Sequence, residues 1–312
     1  MPNLERLGAA LDKTRISIDQ CFLSNMCKGN AESQKLLASL EKAHSAGKII
    51  CPIHLEESIF ESSFLPADFR EKIFSIQNLL SDGFSFHSLA QQFRYQSFAL
   101  IMPGLLYPMI RDVGLKIIPG TDFAALAKEN QAGKDAYVDR LNKMPYPPPS
   151  YKKGMKGDEI MKFISEGRAA SMYRLLSAIK TTGTLDTGQE EWELALEVGA
   201  YFLSIKILQK DCNILMQKVL HHQWDAIPYL WVHSRINAQL ELGYLAGHKK
   251  GNANDLLDLS RIAVGLNDAA VVLCDAPMAE LIKQSKVLDT IQGTKVFSMK
   301  QQDEAAVHIA SL

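Results

Sequence analysis

The run NDLLDLSRIAVGLNDAAVVLCDAPM, residues 254 to 278, decides how this chain is read. Its first half has the apolar spacing of a helix and opens with Asp255 and Asp258. After a short turn, Ala269 to Cys274 is a continuous apolar stretch of the kind that parallel sheets bury on both faces. Asp275 follows it directly, at the carboxyl end of the expected strand, where open α/β sheets gather their function. If the helix runs antiparallel to that strand, its first turns lie beside the strand's end and Asp258 faces Asp275. Asp255 and Asp258 are three residues apart and share one face of the opening turn, where the helix dipole favours negative charge. Facing carboxylates repel unless a cation sits between them.

The same pattern occurs near the N-terminus. After a short helical segment, Arg15 to Asp19 (RISID) alternates as a strand and ends in an acid. Asp19 alone would pass as the N-cap of the helix expected over Gln20 to Cys27; a second strand-end acid gives it the further reading of a site residue. A polar helix over about Ala31 to Ser45 and a turn at Gly47 lead into Lys48 to Pro52 (KIICP), another buried strand, which completes a β-α-β unit. In HLEESIFESS, His54, Glu57, Ser58 and Glu61 recur at helical spacing and line one face, with Glu56 pointing elsewhere. His54 is read as a packing or capping residue.

Between Leu65 and about Lys249 helical periodicity takes over, with helices expected near 67 to 81, 86 to 101, 121 to 143, 156 to 180, 189 to 220 and 226 to 247. Lys152, Lys153, Lys156, Lys162, Arg168, Arg174 and Lys180 face only Asp158, Glu159 and Glu166 over the same stretch. That excess is either a solvated face or a phosphate-binding one. Trp224, Tyr229 and Trp231 are expected in the core, and His221, His222 and His233 lack ligands at metal spacing. Beyond residue 275, a helix near 277 to 285 and a last strand, Lys295 to Ser298, close the chain. The α/β material thus lies at residues 1–64 and 250–312, around a helical middle at 65–249. Neither end has strands enough to stand alone, so the two should share one parallel sheet.

Composition narrows the classes. With 312 residues, 47% of them hydrophobic, the chain buries a full core. A formal net charge of −1 excludes a globally basic nucleic-acid binder, though not a local basic groove. The five cysteines form no CxxC pair, which argues against a zinc site and for reduced thiols in a cytoplasmic protein. MPNLERLGAALDKTR carries charges where an export signal would be apolar, and the longest apolar run, Phe98 to Ile110, is short and holds two prolines, so no membrane span is expected.

An Asp ending the first strand (Asp19), a Glu on the helix after the second (Glu57 or Glu61), an Asp early in a late helix (Asp258) and an Asp ending the next strand (Asp275) resemble the PIN domain in order and spacing. The resemblance covers the two ends and hardly touches the middle. It implies a three-layer sandwich around a mainly parallel sheet, here with a large α-helical insertion, and a divalent-metal-dependent nuclease acting on RNA ahead of DNA. Asp19, Glu57, Glu61, Asp258 and Asp275 would be its catalytic acids, and Asp19, Glu61, Asp255, Asp258 and Asp275 would hold Mg2+ or Mn2+. Lys152, Lys153, Lys156, Arg168 and Arg235 would hold substrate phosphates. The family carries a small hydroxyl residue after the first Asp and before the last; here Gln20-Cys21 and Cys274 occupy those places. Two alternatives stand: a catalytically inactive PIN-like scaffold, with the helical insertion recruiting a protein partner or a second copy, and a DNA-directed flap-type nuclease. On the charge pattern alone, acids crowded without a cation raise the free energy of the fold, so Asp19→Asn and Asp275→Asn are expected to leave metal-free stability equal or higher.

Overall fold

The computed structural model describes residues 4–89, 91–92, 95, 108–114, 122–143, 228–245, 254–291 and 293–312. The elements are α1 (Leu4–Leu11), β1 (Thr14–Ile18), α2 (Gln20–Lys28), α3 (Ala31–Ser45), β2 (Ile49–Ile50), α4 (Leu55–Ser62), α5 (Ala67–Ser81), β3 (Phe84–Phe86), β4 (Ile110–Asp112), α6 (Phe123–Lys143), α7 (Pro228–Leu245), α8 (Asn254–Asp268), β5 (Val271–Cys274), α9 (Ala276–Ser285), β6 (Lys295–Ser298) and α10 (Gln302–Ser311). The fold is mixed α/β, and its main sheet is four-stranded and parallel in the order β2-β1-β5-β6. β1 and β5, from opposite ends of the chain, are its central neighbours, registered Ile16 to Val271 and Ile18 to Leu273.

Alternation along these strands splits the core in two. Ile16, Ile18, Ile49, Val271 and Leu273 point into a cluster closed by Phe22, Met26, Leu36, Leu40, Ile73 and Ile309, which come from α2, α3, α5 and α10. Ile50, Val272 and Cys274 point the other way, toward Leu259, Ile262, Val264 and Leu266 of α8 and Met278 and Ile282 of α9. With every residue of β5 buried, its unbroken apolar run is accounted for.

Helices expected over 67 to 81, 121 to 143 and 226 to 247 correspond to α5, α6 and α7, while those expected over 156 to 180 and 189 to 220 lie outside the described residues. The structure corrects the start of the helix expected at 86. Phe86 ends a strand, β3, which pairs antiparallel with β4 and is bridged to Ile53. A three-residue strand has no periodicity to betray it; its partner, not its sequence, makes it one. Phe84, Phe86, Leu89, Ile110, Tyr229, Val232 and Ile236 belong to the same apolar cluster as α8 and α9. Parts of the stretch read as an insertion therefore complete the core over one face of the sheet. The terminal helix α10, which packs along α3 and follows the last strand, was not foreseen.

α8 lies close on β1 because residue 265 has no side chain. A Cβ there would come within 2.6 Å of Ser17 Oγ and 2.9 Å of Ser17 Cβ. Ser17 is fully buried, and its Oγ is 2.8 Å from His54 Nε2, so it has nowhere to go. Gly265→Ala is expected to lift α8 and cost roughly 1–3 kcal/mol. Urea unfolding checks this: a loss no larger than that of an exposed substitution such as Gly8→Ala would mean that α8 is not seated as described.

Candidate metal centre

The chain's acids meet at the carboxyl edge of the sheet. Asp19 follows β1, and its backbone N–H donates to Leu273 O of β5 at 2.9 Å, which keeps it beside Cys274 and Asp275. α8 turns back into β5 through Ala269 and Ala270, so its opening turns lie at that same edge. α4 starts soon after β2 and adds Glu57 and Glu61. One carboxylate oxygen from each of Asp19, Glu61 and Asp258 lies within 4.8 Å of the others. Asp275 is not one of these three; its charge is the smallest of the influences acting on the Asp258 carboxyl.

The two strand-end aspartates do different things. Asp19 stands at the N-cap position of α2 yet makes no side-chain cap, which leaves its carboxylate to the cluster. Asp275 caps α9 by accepting from Met278 N at 2.7 Å, with Pro277 in the first turn. The glutamates also divide. Glu61 joins Asp19 and Asp258, whereas Glu57 is buried and accepts from Ser260 Oγ at 2.9 Å. Asp255 is buried one turn before Asp258 and is not among the converging carboxylates.

A cation does sit between the acids, and it belongs to the chain. Arg261, with only 2% of its side chain exposed, pairs through Nη1 with Asp19 Oδ1, through Nη2 with Glu61 Oε2 at 2.5 Å, and stands 3.6 Å from Asp258 Oδ1. Burial works against its charge, but Glu61, Asp19 and Asp258 outweigh that and hold the guanidinium protonated. Sequence reasoning missed Arg261, although its signal was present: three residues after Asp258, it shares that residue's helical face.

One guanidinium does not neutralise three carboxylates. Burial, then the negative charges of Asp19, Glu61 and Asp275, push Asp258 up to about 7 despite Arg261, and burial raises Glu61 also. Cys21 donates its Sγ–H to Asp19 Oδ2 at 3.2 Å; burial and the Asp19 charge hold its thiol far above the usual range, so it stays protonated. His54 is buried and stacked on Phe86, with ring centroids 4.7 Å apart; burial and Arg261 keep it neutral, which fits the packing role expected of it.

The donor set suits a hard divalent ion. Three carboxylate oxygens are the ligands Mg2+ and Mn2+ take, and within 4.8 Å of one another they are near enough to be drawn onto a single ion. The deficit of positive charge favours such an ion, while Arg261 stands where it would bind.

Of the expected substrate-binding cations, Arg235 alone falls within the described residues. Arg235 donates to Ser285 O at 2.8 and 3.2 Å, at the far end of α9 from Asp275 and so about 15 Å along the helix axis. Lys152, Lys153, Lys156 and Arg168 lie outside the described residues. Among the described residues no helix is long and apolar enough to cross a membrane. Comparison with protein-family models, with curated proteins and with solved structures gives no match.

Proposed function

We propose that this chain is a divalent-metal-dependent nuclease of the PIN-like kind, with a three-layer sandwich as its core, hydrolysing phosphodiester bonds in RNA ahead of DNA. The observation that carries the reading is the convergence of Asp19, Glu61 and Asp258 at the carboxyl edge of a parallel sheet, beside Asp275. Asp19, Glu61 and Asp258 would hold Mg2+ or Mn2+, which when bound supplies an activated water and a partner for phosphate oxygens. Asp275 fixes the entry of α9 and adds negative charge. Glu57, tethered by Ser260, keeps α4 and α8 at the spacing the group needs. Lys152, Lys153, Lys156 and Arg168 supply charge for substrate phosphates. A cytoplasmic setting goes with Cys21, Cys27, Cys51 and Cys274 as free thiols.

A second reading, an inactive PIN-like scaffold, is favoured by one observation, the occupation of the carboxylate group by Arg261. The purified chain should be offered single-stranded RNA, single-stranded DNA and branched DNA with Mn2+, and again with excess EDTA. Cleavage of RNA that EDTA abolishes is the expected result. Preference for the branched DNA would move the reading to a flap-type nuclease, and no cleavage of any substrate, with Mn2+ bound, would leave the scaffold.

A further inference from the structure

We infer that Arg261 is a resident counter-ion of the carboxylate group, so that a divalent ion binds there only by displacing it. This rests on the metal-site reading above and adds to it the competitor that the site carries within itself. The carboxylates that converge closely enough to share one ion are those of Asp19, Glu61 and Asp258. The residues facing the Arg261 fork are the same three. A cation shared by them cannot avoid the guanidinium. Nor can Arg261 yield by losing its proton, as a lysine could, because a guanidinium stays charged in proteins. Its stem is fixed to α8, which Gly265 seats on β1, so the fork must swing away from the acids while the helix stays in place. The form that binds metal is then a minor one, and the apparent affinity falls by the fraction of molecules in it.

Two measurements on the whole chain test this. The first is calorimetric titration of Mn2+ into the wild type and Arg261→Gln at pH 7.5, with circular dichroism to verify that both are folded. The variant should bind at least tenfold more tightly, about 1.4 kcal/mol. The second follows the Arg261 side-chain N–H resonances of the wild type by NMR during titration with Mg2+. They should shift with the midpoint at which the ion binds. Binding in the variant that is equal or weaker, or Arg261 resonances unmoved at saturating Mg2+, overturns the counter-ion role and leaves the metal site standing. If only the variant binds, the counter-ion role holds and the wild type is the scaffold. If both are folded and neither binds, the metal site and the counter-ion fall together. Should the variant fail to fold, the wild-type resonances decide alone.

Discussion

Asp19→Asn, which alters a proposed metal ligand, is expected to lower the proposed phosphodiester cleavage by at least roughly 10–100-fold, the loss seen when only a ligand's supporting group is removed, and, in metal-free buffer, to lower stability as well. The second effect reverses what charge crowding alone suggests. Arg261 already lies against Asp19, so neutralising that acid removes a charged partner from a buried guanidinium, at a cost of roughly 1.5–3 kcal/mol. Asp258 behaves in the opposite sense. Its folded-state pKa of about 7 exceeds the 3.8 of an unperturbed carboxyl, so the folded chain holds that proton more tightly than the unfolded one. Stability from this group is full below the lower value and falls as pH rises toward the higher. Asp258→Asn should abolish that fall, matching the wild type at low pH and exceeding it at pH 8, while cleaving as poorly as Asp19→Asn. Asp275→Asn should be close to neutral for stability, since asparagine caps a helix about as well as aspartate. Urea unfolding at pH 5 and pH 8 separates the three variants, and an Asp19→Asn chain as stable as the wild type would show that its bond to Arg261 is not a structural one.

Arg261→Met should destabilise the metal-free chain by roughly 3–5 kcal/mol, because breaking a buried ion pair from one side strands the charges on the other. The loss should shrink as pH falls, since burial has already raised Asp258 and Glu61 and both then take up protons. Adding Asp258→Asn to Arg261→Met should recover part of the loss, a coupling that a double-mutant cycle measures. A loss below about 1 kcal/mol, within the range of ordinary exposed ion pairs, would place the arginine outside the structural network.

The strands and the acids that end them were legible because two independent constraints coincide at Asp19 and Asp275. β5 is an unbroken apolar run and β1 alternates, each a strand pattern, and in both the next residue must leave the sheet. Helix boundaries at α3 and α5 followed from punctuation, and the helical spacing of Glu57, Ser58 and Glu61 from periodicity, while His54 stands just ahead of α4. What escaped depended on contacts between distant segments. Whether Glu57 or Glu61 meets the cluster turns on how α4 lies over α8, and both spacings put them on one face. β3 exists through its pairing with β4 and its bridge to Ile53. Arg261 went unread because acids in a cleft direct attention to a cation from solution, although Asp258 and Arg261 stand three residues apart on the same helix.

β1 lies between β2, a near neighbour in sequence, and β5, and Arg261 meets Asp19 across 242 residues of chain. At synthesis rates of about 5–20 residues per second, the acids of the N-terminal segment precede their arginine by roughly 10 to 50 s. Through that interval β1 has one edge unpaired, and its free backbone N–H and C=O groups offer a template for any passing strand. Closure is a single late event of high contact order. A ribosome that stalls before β5 releases a chain with neither a closed sheet nor an assembled carboxylate group, so incomplete copies lack the site altogether and are the ones most prone to aggregate.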